Sequence, residues 1–587
     1  MAMRRSRMIA VTGAVALATT GLGGLAATAG ATTASTGATA EARTYQVLAK
    51  SGVSAAKLAQ TLTSAGAKVT RQNSAIGLVT VTSTDARFAA KARALDGVQG
   101  AALNRAVGQS PTGIKVKPDP VEKEHTFDKS RANGSTKVPA APKGADPLDG
   151  LLWGHEMVDA FGARATETGD KVRVGILDTG VDGSHIDIAP NFDNALSRNF
   201  TIDIPAIDGP CETADCVDPA NVDDNGHGTH VAGTIAASLN GVGISGIAPD
   251  ATIVNVRGGQ DSGYFFLDPV VDALTYAGDN GLDVVNMSFY VDPWLYNCQG
   301  GAPEDQQFPE AVAEQNMIIE GMTRALAYAT EHGVALVGAL GNNHEDLSKP
   351  RPDDSSPDYD NPAYDWDTSA WERTIDNATC LDLPTEGPDV IGVSALGPSE
   401  RKADFSNYTT DLTSGEIEVS APGGWYRDGL GTNSYRTNGN LILSAAPLHV
   451  LQAEGQVDKN GNITKLGRTF GTLKSCENGK YNENTSECGY YQWLQGTSMA
   501  APHASGVAAL VVAAHGSGTS ETDFGLAAAT TRSILMDTAR DHACPDGGVM
   551  SYENVGRSAQ FTATCVGTAE FNGFYGDGIV NAANAVE

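Results

Sequence analysis

Short apolar runs that alternate with helical stretches dominate the second part of the chain. Each run reads as a strand buried on both faces, because it lacks the polar alternation of a strand with one wet face. Strand–helix alternation of this kind predicts a mostly parallel sheet covered by helices on both sides. We therefore expect a three-layer α/β domain, with strands at 172–177, 252–256, 283–289 and 334–340 and with helices that include 228–238 and 268–279.

The first part of the chain has a different organisation. The 587 residues exceed the length of a typical single domain. Residues 44–106 show strand and helix patterns in the order β-α-β-α-β, which predicts a small α+β domain of the ferredoxin-like type. Residues 107–147 are rich in proline and read as a linker that carries a processing site. The larger α/β domain then extends over 148–587.

Charge separates the same two parts. The chain has 70 acidic and 40 basic residues, a net charge of −30; residues 1–144 carry +12 and residues 145–587 carry −42. An acidic body argues against nucleic acid or an anionic membrane as a partner, because both are bound through Lys and Arg. The two parts are expected to attract each other, although simple drift in surface charge explains the split equally well.

The N-terminus and the cysteines both indicate export. Arg4, Arg5 and Arg7 precede an apolar stretch and small residues, which predicts a signal peptide over 1–31 and a secreted, extracellular protein; an uncleaved anchor is the alternative. An even number of cysteines in an exported chain predicts disulfides. Nearest neighbours are the simplest of the 105 possible pairings: Cys211–Cys216, Cys298–Cys380, Cys476–Cys488 and Cys544–Cys565.

Three polar side chains stand at positions where a parallel sheet presents functional groups. Asp178 directly follows the run 172–177, His227 opens a stretch of small residues, and Ser498 begins a helix that continues to about His515. Pro502 is expected in the first turn of that helix, where its missing N–H costs no hydrogen bond. Alone, each has an ordinary alternative: a turn Asp, a His that binds metal together with His230, and a capping Ser. Together they are the carboxylate, base and hydroxyl of nucleophilic catalysis.

These motifs resemble the signatures of the subtilisin-like serine proteases, the subtilases, over about 148–587. The resemblance implies that Ser498 is the nucleophile, His227 the general base and Asp178 the residue that orients it. It also implies that Asn342, in Gly341-Asn342, donates to the oxyanion, with Asn343 as a competing candidate. Residues 44–106 are similar in pattern to the inhibitory propeptide of that family.

The resemblance further implies a substrate cleft and a structural ion. Ser288, Gly263 and Gly341 are expected to bind substrate, although Phe289 after Ser288 is bulkier than the residue usual in the family. Asp187 and Asn240 are expected to hold structural Ca²⁺, and no catalytic metal is expected.

The sequence thus predicts a secreted, monomeric serine endopeptidase that acts through an acyl-enzyme and is made as a zymogen. Its expected partners are protein or peptide substrates and its own propeptide, with no nucleic acid and no membrane after processing. Two alternatives remain: a dedicated processing protease for one peptide partner, and a binding module without catalytic activity.

Overall fold

The computed structural model describes residues 42–104, 121–127, 139–357, 371–477, 488–520 and 523–587. The predicted signal peptide and most of the predicted linker lie outside these residues. The strands are β1 Arg43–Ala49, β2 Lys68–Asn73, β3 Leu78–Ser83, β4 Val98–Leu103, β5 Arg173–Leu177, β6 Arg198–Asn199, β7 Thr252–Arg257, β8 Val284–Met287, β9 Asn297–Cys298, β10 Ala335–Ala339, β11 Arg351–Asp353, β12 Arg373–Ile375, β13 Cys380–Leu381, β14 Val390–Leu396, β15 Val419–Pro422, β16 Ile442–Ala445, β17 Leu473–Cys476, β18 Cys488–Leu494, β19 Val549–Met550 and β20 Ala563–Thr564.

The helices follow the same chain order. They are α1 Ala55–Ser64, α2 Phe88–Arg93, α3 Glu124–Phe127, α4 Trp153–Met157, α5 Ala160–Ala163, α6 His227–Ala236, α7 Leu267–Asp279, α8 Pro309–Glu331, α9 Leu448–Ala453, α10 Lys465–Phe470, α11 Thr497–His515, α12 Ala528–Asp537 and α13 Ala582–Ala585.

The N-terminal domain is a four-stranded antiparallel sheet in the order β2-β3-β1-β4, with α1 and α2 packed on one face. The element order is β-α-β-β-α-β, so the predicted order lacked one strand, β2. This strand is at the edge of the sheet, and its sequence KVTRQN is almost entirely polar and half exposed. Without apolar alternation, nothing in the sequence marks it as a strand.

The second face of this small sheet packs on the larger domain. Leu48, Leu78 and Ala102 share one buried apolar cluster with side chains of α7 and α8, among them Leu267 and Met317. The central strands β1 and β3 are therefore buried on both faces, by the helices of the small domain on one side and by the larger domain on the other.

The larger domain is built on a seven-stranded sheet in the order β15-β14-β10-β8-β5-β7-β6. All of its strand pairs are parallel. Helices α6 and α11 pack on one face and α7 and α8 on the other, which is the predicted three-layer architecture. The strand predicted at 283–289 ends at Met287, so Ser288 and Phe289 leave the sheet at its carboxyl edge.

Helix α11 is the central helix of one layer. Its residues from Thr497 to Val512 are all buried, which explains why it is apolar all round and made largely of small residues. In the described part of the chain it is the one helix that is long and apolar enough to span a membrane, but 89% of that apolar window is buried inside the protein.

Disulfides join the cysteines that are neighbours along the chain. The four pairs are those predicted: Cys211–Cys216, Cys298–Cys380, Cys476–Cys488 and Cys544–Cys565. Three of them close short segments, with sequence separations of 5, 12 and 21, whereas Cys298–Cys380 has a separation of 82 and encloses α8 and β10. Each covalent link limits the freedom of the unfolded segment that it closes.

Candidate active site

The predicted catalytic residues follow neighbouring strands of the central sheet. Asp178 follows β5, Ser288 follows β8 and Asn342 comes shortly after β10, and these three strands are adjacent. Because the strands are parallel, their carboxyl ends meet at one edge of the sheet. Helices α6 and α11, which begin at His227 and next to Ser498, start at the same edge.

Asp178 and His227 are in direct contact. His227 Nδ1 lies 2.8 Å from Asp178 Oδ1, which also accepts the Thr179 backbone N–H at 2.7 Å. Gly228 permits this approach, since a Cβ there would lie 2.1 Å from the Gly180 carbonyl oxygen. The Asp carboxylate is fully buried and fixes the orientation of the imidazole ring.

A second buried carboxylate, which the sequence did not reveal, ties the start of α6 to the Asp178 loop. Asp223 accepts the Thr229 N–H at 2.9 Å and the Thr179 hydroxyl at 3.0 Å. Asp223 therefore anchors the first turn of the helix that carries His227, next to the residue that follows Asp178. A carboxylate at a helix N-terminus is favourable because it satisfies N–H groups that have no partner within the helix.

Ser498 lies in the first turn of α11 and contacts the end of β8. Its hydroxyl oxygen lies 3.4 Å from the Ser288 carbonyl oxygen, and the Ser288 hydroxyl donates to the Ser498 carbonyl at 3.1 Å. The prediction for Pro502 was wrong, because α11 begins at Thr497 and Pro502 lies inside the helix. Its missing N–H would have bonded the Ser498 carbonyl, and the Ser288 hydroxyl bonds that carbonyl instead.

Asn342 is held beside Ser498 by the residue that precedes the serine. Asn342 Oδ1 accepts the Thr497 backbone N–H at 2.9 Å and the Thr497 hydroxyl at 3.0 Å. Gly341 has a φ of +98°, and its N–H donates to the same hydroxyl at 3.1 Å. The neighbouring Asn343 donates its backbone N–H to Asn407 at 3.1 Å. Gly263 lies in a turn with a φ of +86°, closed by its N–H bond to Gln260.

A segment of the predicted linker, residues 121–127, lies in the same site. Glu122 Oε1 is 3.3 Å from His227 Nε2, and the Ser498 side chain bonds the same carboxylate. A Cβ on Gly496 would lie 3.5 Å from both Glu122 Oε1 and Asn342 Nδ2. The Glu122 carboxylate thus stands next to His227 and Ser498, and it borders Gly496 as the Asn342 amide nitrogen does.

The two carboxylates control the protonation of His227. Burial disfavours the imidazolium, but the charges of Asp178 and Glu122 outweigh this effect, and the pKa of His227 is raised well above its ordinary value. Burial acts to raise the pKa of Glu122, but the charge of His227 and the hydrogen bonds from His227 and Ser498 lower it overall. In this arrangement His227 carries a proton on both nitrogens and Glu122 is ionised.

The two residues predicted to hold calcium, Asp187 and Asn240, lie together, but their side-chain oxygens already accept hydrogen bonds from protein groups. Asp187 Oδ2 accepts the Tyr491 hydroxyl at 2.7 Å and the Ile244 N–H at 3.1 Å, and Oδ1 accepts from Asn240 Nδ2 at 3.3 Å. Asn240 Oδ1 accepts the Val242 N–H at 2.9 Å. Burial raises the pKa of Asp187 to about 8. As they stand, these residues form a hydrogen-bonded core and do not fit a calcium cage.

Another group of carboxylates in the described residues is better suited to a cation. Oxygens of Asp203, Glu212, Asp218 and Asp261 lie within 4.8 Å of one another. Arg257 offsets part of this charge, at 3.0 Å from Asp218 and 2.5 Å from Asp261. Both oxygens of Asp203 are buried and accept no hydrogen bond. Hard oxygen ligands in this number are typical of calcium sites.

Comparison with known proteins agrees with the site. Residues 169–578 match the model of the Subtilase family. The chain belongs to the subtilase family. This finding confirms the predicted family and three-layer fold of a subtilisin-like serine protease.

Curated subtilases match parts of the chain at moderate identity. Fervidolysin of Fervidobacterium pennivorans is 28% identical over 68% of this chain and 42% of its own length. The major intracellular serine protease of Bacillus subtilis is 29% identical over 58% of this chain and 69% of its own. Subtilisin Savinase of Lederbergia lenta is 33% identical over 46% of this chain and 71% of its own. The match to fervidolysin thus spans less than half of that protein.

Solved structures share the fold over most of the chain. The epidermin leader peptide processing serine protease EpiP of Staphylococcus aureus has a TM-score of 0.57 and 17% identity, covering 93% of this chain and 98% of its own. The crystal structure of fervidolysin has a TM-score of 0.52 and 22% identity, covering 93% of this chain and 61% of its own. At these identities the comparison establishes the fold alone.

Proposed function

We propose that this subtilase is a secreted serine endopeptidase that hydrolyses peptide bonds in proteins through an acyl-enzyme. The observation that carries the proposal is the contact of His227 with Asp178 at 2.8 Å, in a site where the Ser498 side chain meets the same carboxylate as His227 Nε2. Neutral His227 would take the Ser498 proton as the hydroxyl attacks the substrate carbonyl, and would return it to the leaving amine. Asp178 would stabilise the imidazolium formed between these steps.

The negative charge of the tetrahedral intermediate needs hydrogen-bond donors in fixed positions. Thr497 holds Asn342 by its Oδ1, which turns the amide nitrogen towards the side where Glu122 Oε1 lies. Asn342 Nδ2 and the Ser498 backbone N–H are therefore the donors that we assign to the oxyanion.

The enzyme is further proposed to be made as a zymogen. Glu122 holds His227 in the charged form, and an imidazolium cannot accept the Ser498 proton. Gln495 binds the backbone of the same segment. Its backbone N–H donates to the Glu122 carbonyl at 3.3 Å, and its side-chain Nε2 donates to the Val121 carbonyl at 2.9 Å. Residues 121–127 therefore fill the cleft as an inhibitor would.

The N-terminal domain has the contacts expected of an inhibitory propeptide. Buried Asp268 of α7 accepts hydrogen bonds from Gln46 at 2.9 Å, Thr80 at 2.9 Å and Asn104 at 3.1 Å. Two ion pairs, between Arg71 and Asp272 and between Arg93 and Glu310, lie at the margin of the same interface. These contacts hold the domain against α7 and α8, and they support the proposal that it inhibits the body and templates its folding.

A Ser498→Ala variant tests the proposed activity. Without the hydroxyl, hydrolysis of peptide substrates should fall by about 10⁴–10⁶-fold, and the chain should stay uncut between residues 107 and 147. Mass spectrometry of the purified protein and a peptide hydrolysis assay measure both outcomes. Normal hydrolysis by the variant would refute the assignment of Ser498, and normal processing would point to a different protease as the agent of maturation.

A second candidate function is the processing of one dedicated peptide. Phe289 stacks on Phe265 with ring centroids 4.0 Å apart, so two bulky rings pack directly after Ser288, a residue predicted to bind substrate. The structural match to EpiP, whose name describes a leader peptide processing protease, points in the same direction. Digestion of unrelated denatured proteins at many sites would exclude this narrower function.

Structural calcium is proposed at the four-carboxylate group, and not at the predicted Asp187 and Asn240. The support is the pair of buried Asp203 oxygens that accept no hydrogen bond. Bound calcium would cancel repulsion among the carboxylates and link the loop that contains Asp203 to Asp261, two residues before Gly263.

Secretion rests on the predicted signal peptide and agrees with the four disulfides, which persist in oxidising compartments. Detection of the processed body in the medium of expressing cells tests it, and retention of the whole chain inside the cells would contradict it.

A further inference from the structure

The carboxylate of Glu124 is enclosed by positively charged and polar donors. Its Oε1 accepts from Arg427 Nε at 2.7 Å and from Arg427 Nη2 at 2.5 Å. Its Oε2 accepts from Arg557 Nη2 at 2.9 Å and from Gln495 Nε2 at 3.2 Å. The three charged side chains are about five-sixths buried, at 15–17% exposure. Forked guanidinium contacts of this kind recognise a carboxylate by geometry as well as by charge.

The body holds the two arginines without help from Glu124. Arg427 Nη1 donates to the Val555 carbonyl at 2.8 Å. Arg557 Nε donates to Asp404 at 2.5 Å, and its guanidinium lies 4.8 Å from the Phe561 ring centre. Because these anchors lie outside residues 121–127, the pocket keeps its shape when another peptide replaces this segment.

The charge of the pocket calls for an acidic occupant. Two guanidinium groups face one body carboxylate, Asp404, so Glu124 brings the local charge to balance. Without an acidic side chain the pocket retains a positive excess, although residues 145–587 together carry a net charge of −42. A positively charged pocket of this kind attracts negatively charged groups even though the surrounding acidic surface repels them.

The pocket lies on the path of a peptide through the active site. Gln495 is three residues before Ser498 and bonds the backbone carbonyls of Val121 and Glu122. The same side chain reaches Glu124. A peptide that follows this path, with its backbone on Gln495, therefore brings one of its own side chains to Arg427 and Arg557.

We propose that Arg427 and Arg557 form a substrate subsite that selects an acidic side chain, Asp or Glu, at a fixed position beside the cleaved bond. Glu124 of the chain's own segment occupies this subsite before it is displaced. The inference rests on the proposed endopeptidase function and adds a side-chain preference to it. The inhibitory segment and the preferred substrates thus share one feature, an acidic side chain that binds to Arg427 and Arg557.

Cleavage-site profiling of the active enzyme tests the preference. The full chain, after its own maturation, is incubated with a peptide library made from a bacterial proteome, and the cut bonds are identified by mass spectrometry. Unsubstituted enzyme should show acidic residues enriched severalfold at one position beside the cut. Arg427→Gln should lose this enrichment, while Arg198→Gln, an exposed arginine on β6, should keep it. Arg557→Lys preserves the charge beside Asp404 and should reduce the enrichment without unfolding the protein.

Two outcomes would overturn the subsite: no acidic enrichment at any position, or enrichment that persists in Arg427→Gln. Absence of all cleavage would instead refute the proposed protease activity. Binding then decides the subsite, with a fluorescein-labelled peptide of residues 121–127 and a second peptide with Gln in place of Glu124. The first should bind about tenfold more tightly, and equal or undetectable binding of the two would overturn the proposal.

Discussion

Removal of the Glu122 charge should release the active site from its own chain. Glu122 Oε1 and His227 Nε2 are 3.3 Å apart, with only 13% and 14% of the two side chains exposed. At an effective dielectric constant of about 20, two unit charges at this distance attract by about 5 kcal/mol. Desolvation of both groups offsets part of this energy, and close buried pairs retain about 3 kcal/mol. Glu122→Gln keeps an oxygen acceptor and the size of the side chain but loses the charge.

A loss of about 3 kcal/mol raises the population of open clefts by about 150-fold. The lag before hydrolysis begins in freshly purified full-length chain should shorten accordingly in Glu122→Gln. The assay follows a fluorogenic peptide over time, with electrophoresis of the chain in parallel. Glu156→Gln, at an exposed position of α4, is the matched control and should keep the original lag. An equal lag in both variants would refute the claim that Glu122 restrains His227.

The pH dependence of the lag provides an independent check on the same contact. The pKa of His227 is raised in the closed state, so its stabilisation is complete below the ordinary histidine pKa of about 6.5 and is lost as pH rises through the raised value. The pKa of Glu122 is lowered, so its stabilisation is present above the ordinary glutamate value and is lost as pH falls through the lowered one. The lag should therefore shorten at alkaline pH, and Glu122→Gln should weaken this dependence.

Four further outcomes are expected. Asn342→Ala should lower kcat by about 10²–10³-fold with little effect on KM, and steady-state kinetics in which KM alone changes would contradict the oxyanion assignment. Inhibition of the processed body by added residues 42–104 should weaken only severalfold in about 1 M salt, because exposed ion pairs contribute about 1 kcal/mol or less each. Asp268→Ala in the body should weaken that inhibition by about 100-fold, because it leaves buried donors without an acceptor. Complete loss of inhibition in salt would instead show that charge attraction supplies most of the binding energy between the N-terminal domain and the body. Chelation of calcium should lower the melting temperature, measured by calorimetry, of the unsubstituted chain and of Asp187→Asn, but not of Asp203→Asn. The reverse pattern would indicate that the ion binds at Asp187.

The architecture and the residues of the catalytic motifs could be predicted because their signals are local. A fully buried strand such as β5 is a continuous apolar run, and α11 is a long stretch of small apolar residues. Both patterns are read within a single element. The disulfides were equally accessible, since each joins neighbouring cysteines and closes its own loop. The edge strand β2 was missed because it buries little, so its sequence carries no apolar periodicity.

The positions of charged groups around the site required the tertiary structure. Glu122 and Glu124 belong to a segment with no regular pattern, and Arg427 and Arg557 are remote from it and from each other along the chain. The carboxylates around Asp203 come from two loops, one between β6 and α6 and one after β7 that carries Asp261. The oxygens of the predicted pair Asp187 and Asn240 accept hydrogen bonds from neighbouring groups. The sequence by itself determined the family, the layers of the fold and the residue types of the chemistry. The tertiary structure decided which charged groups lie close together, because packing brings distant segments of the chain into contact. A Coulomb interaction depends on the distance between two groups in space, and it produces no periodic pattern in the sequence.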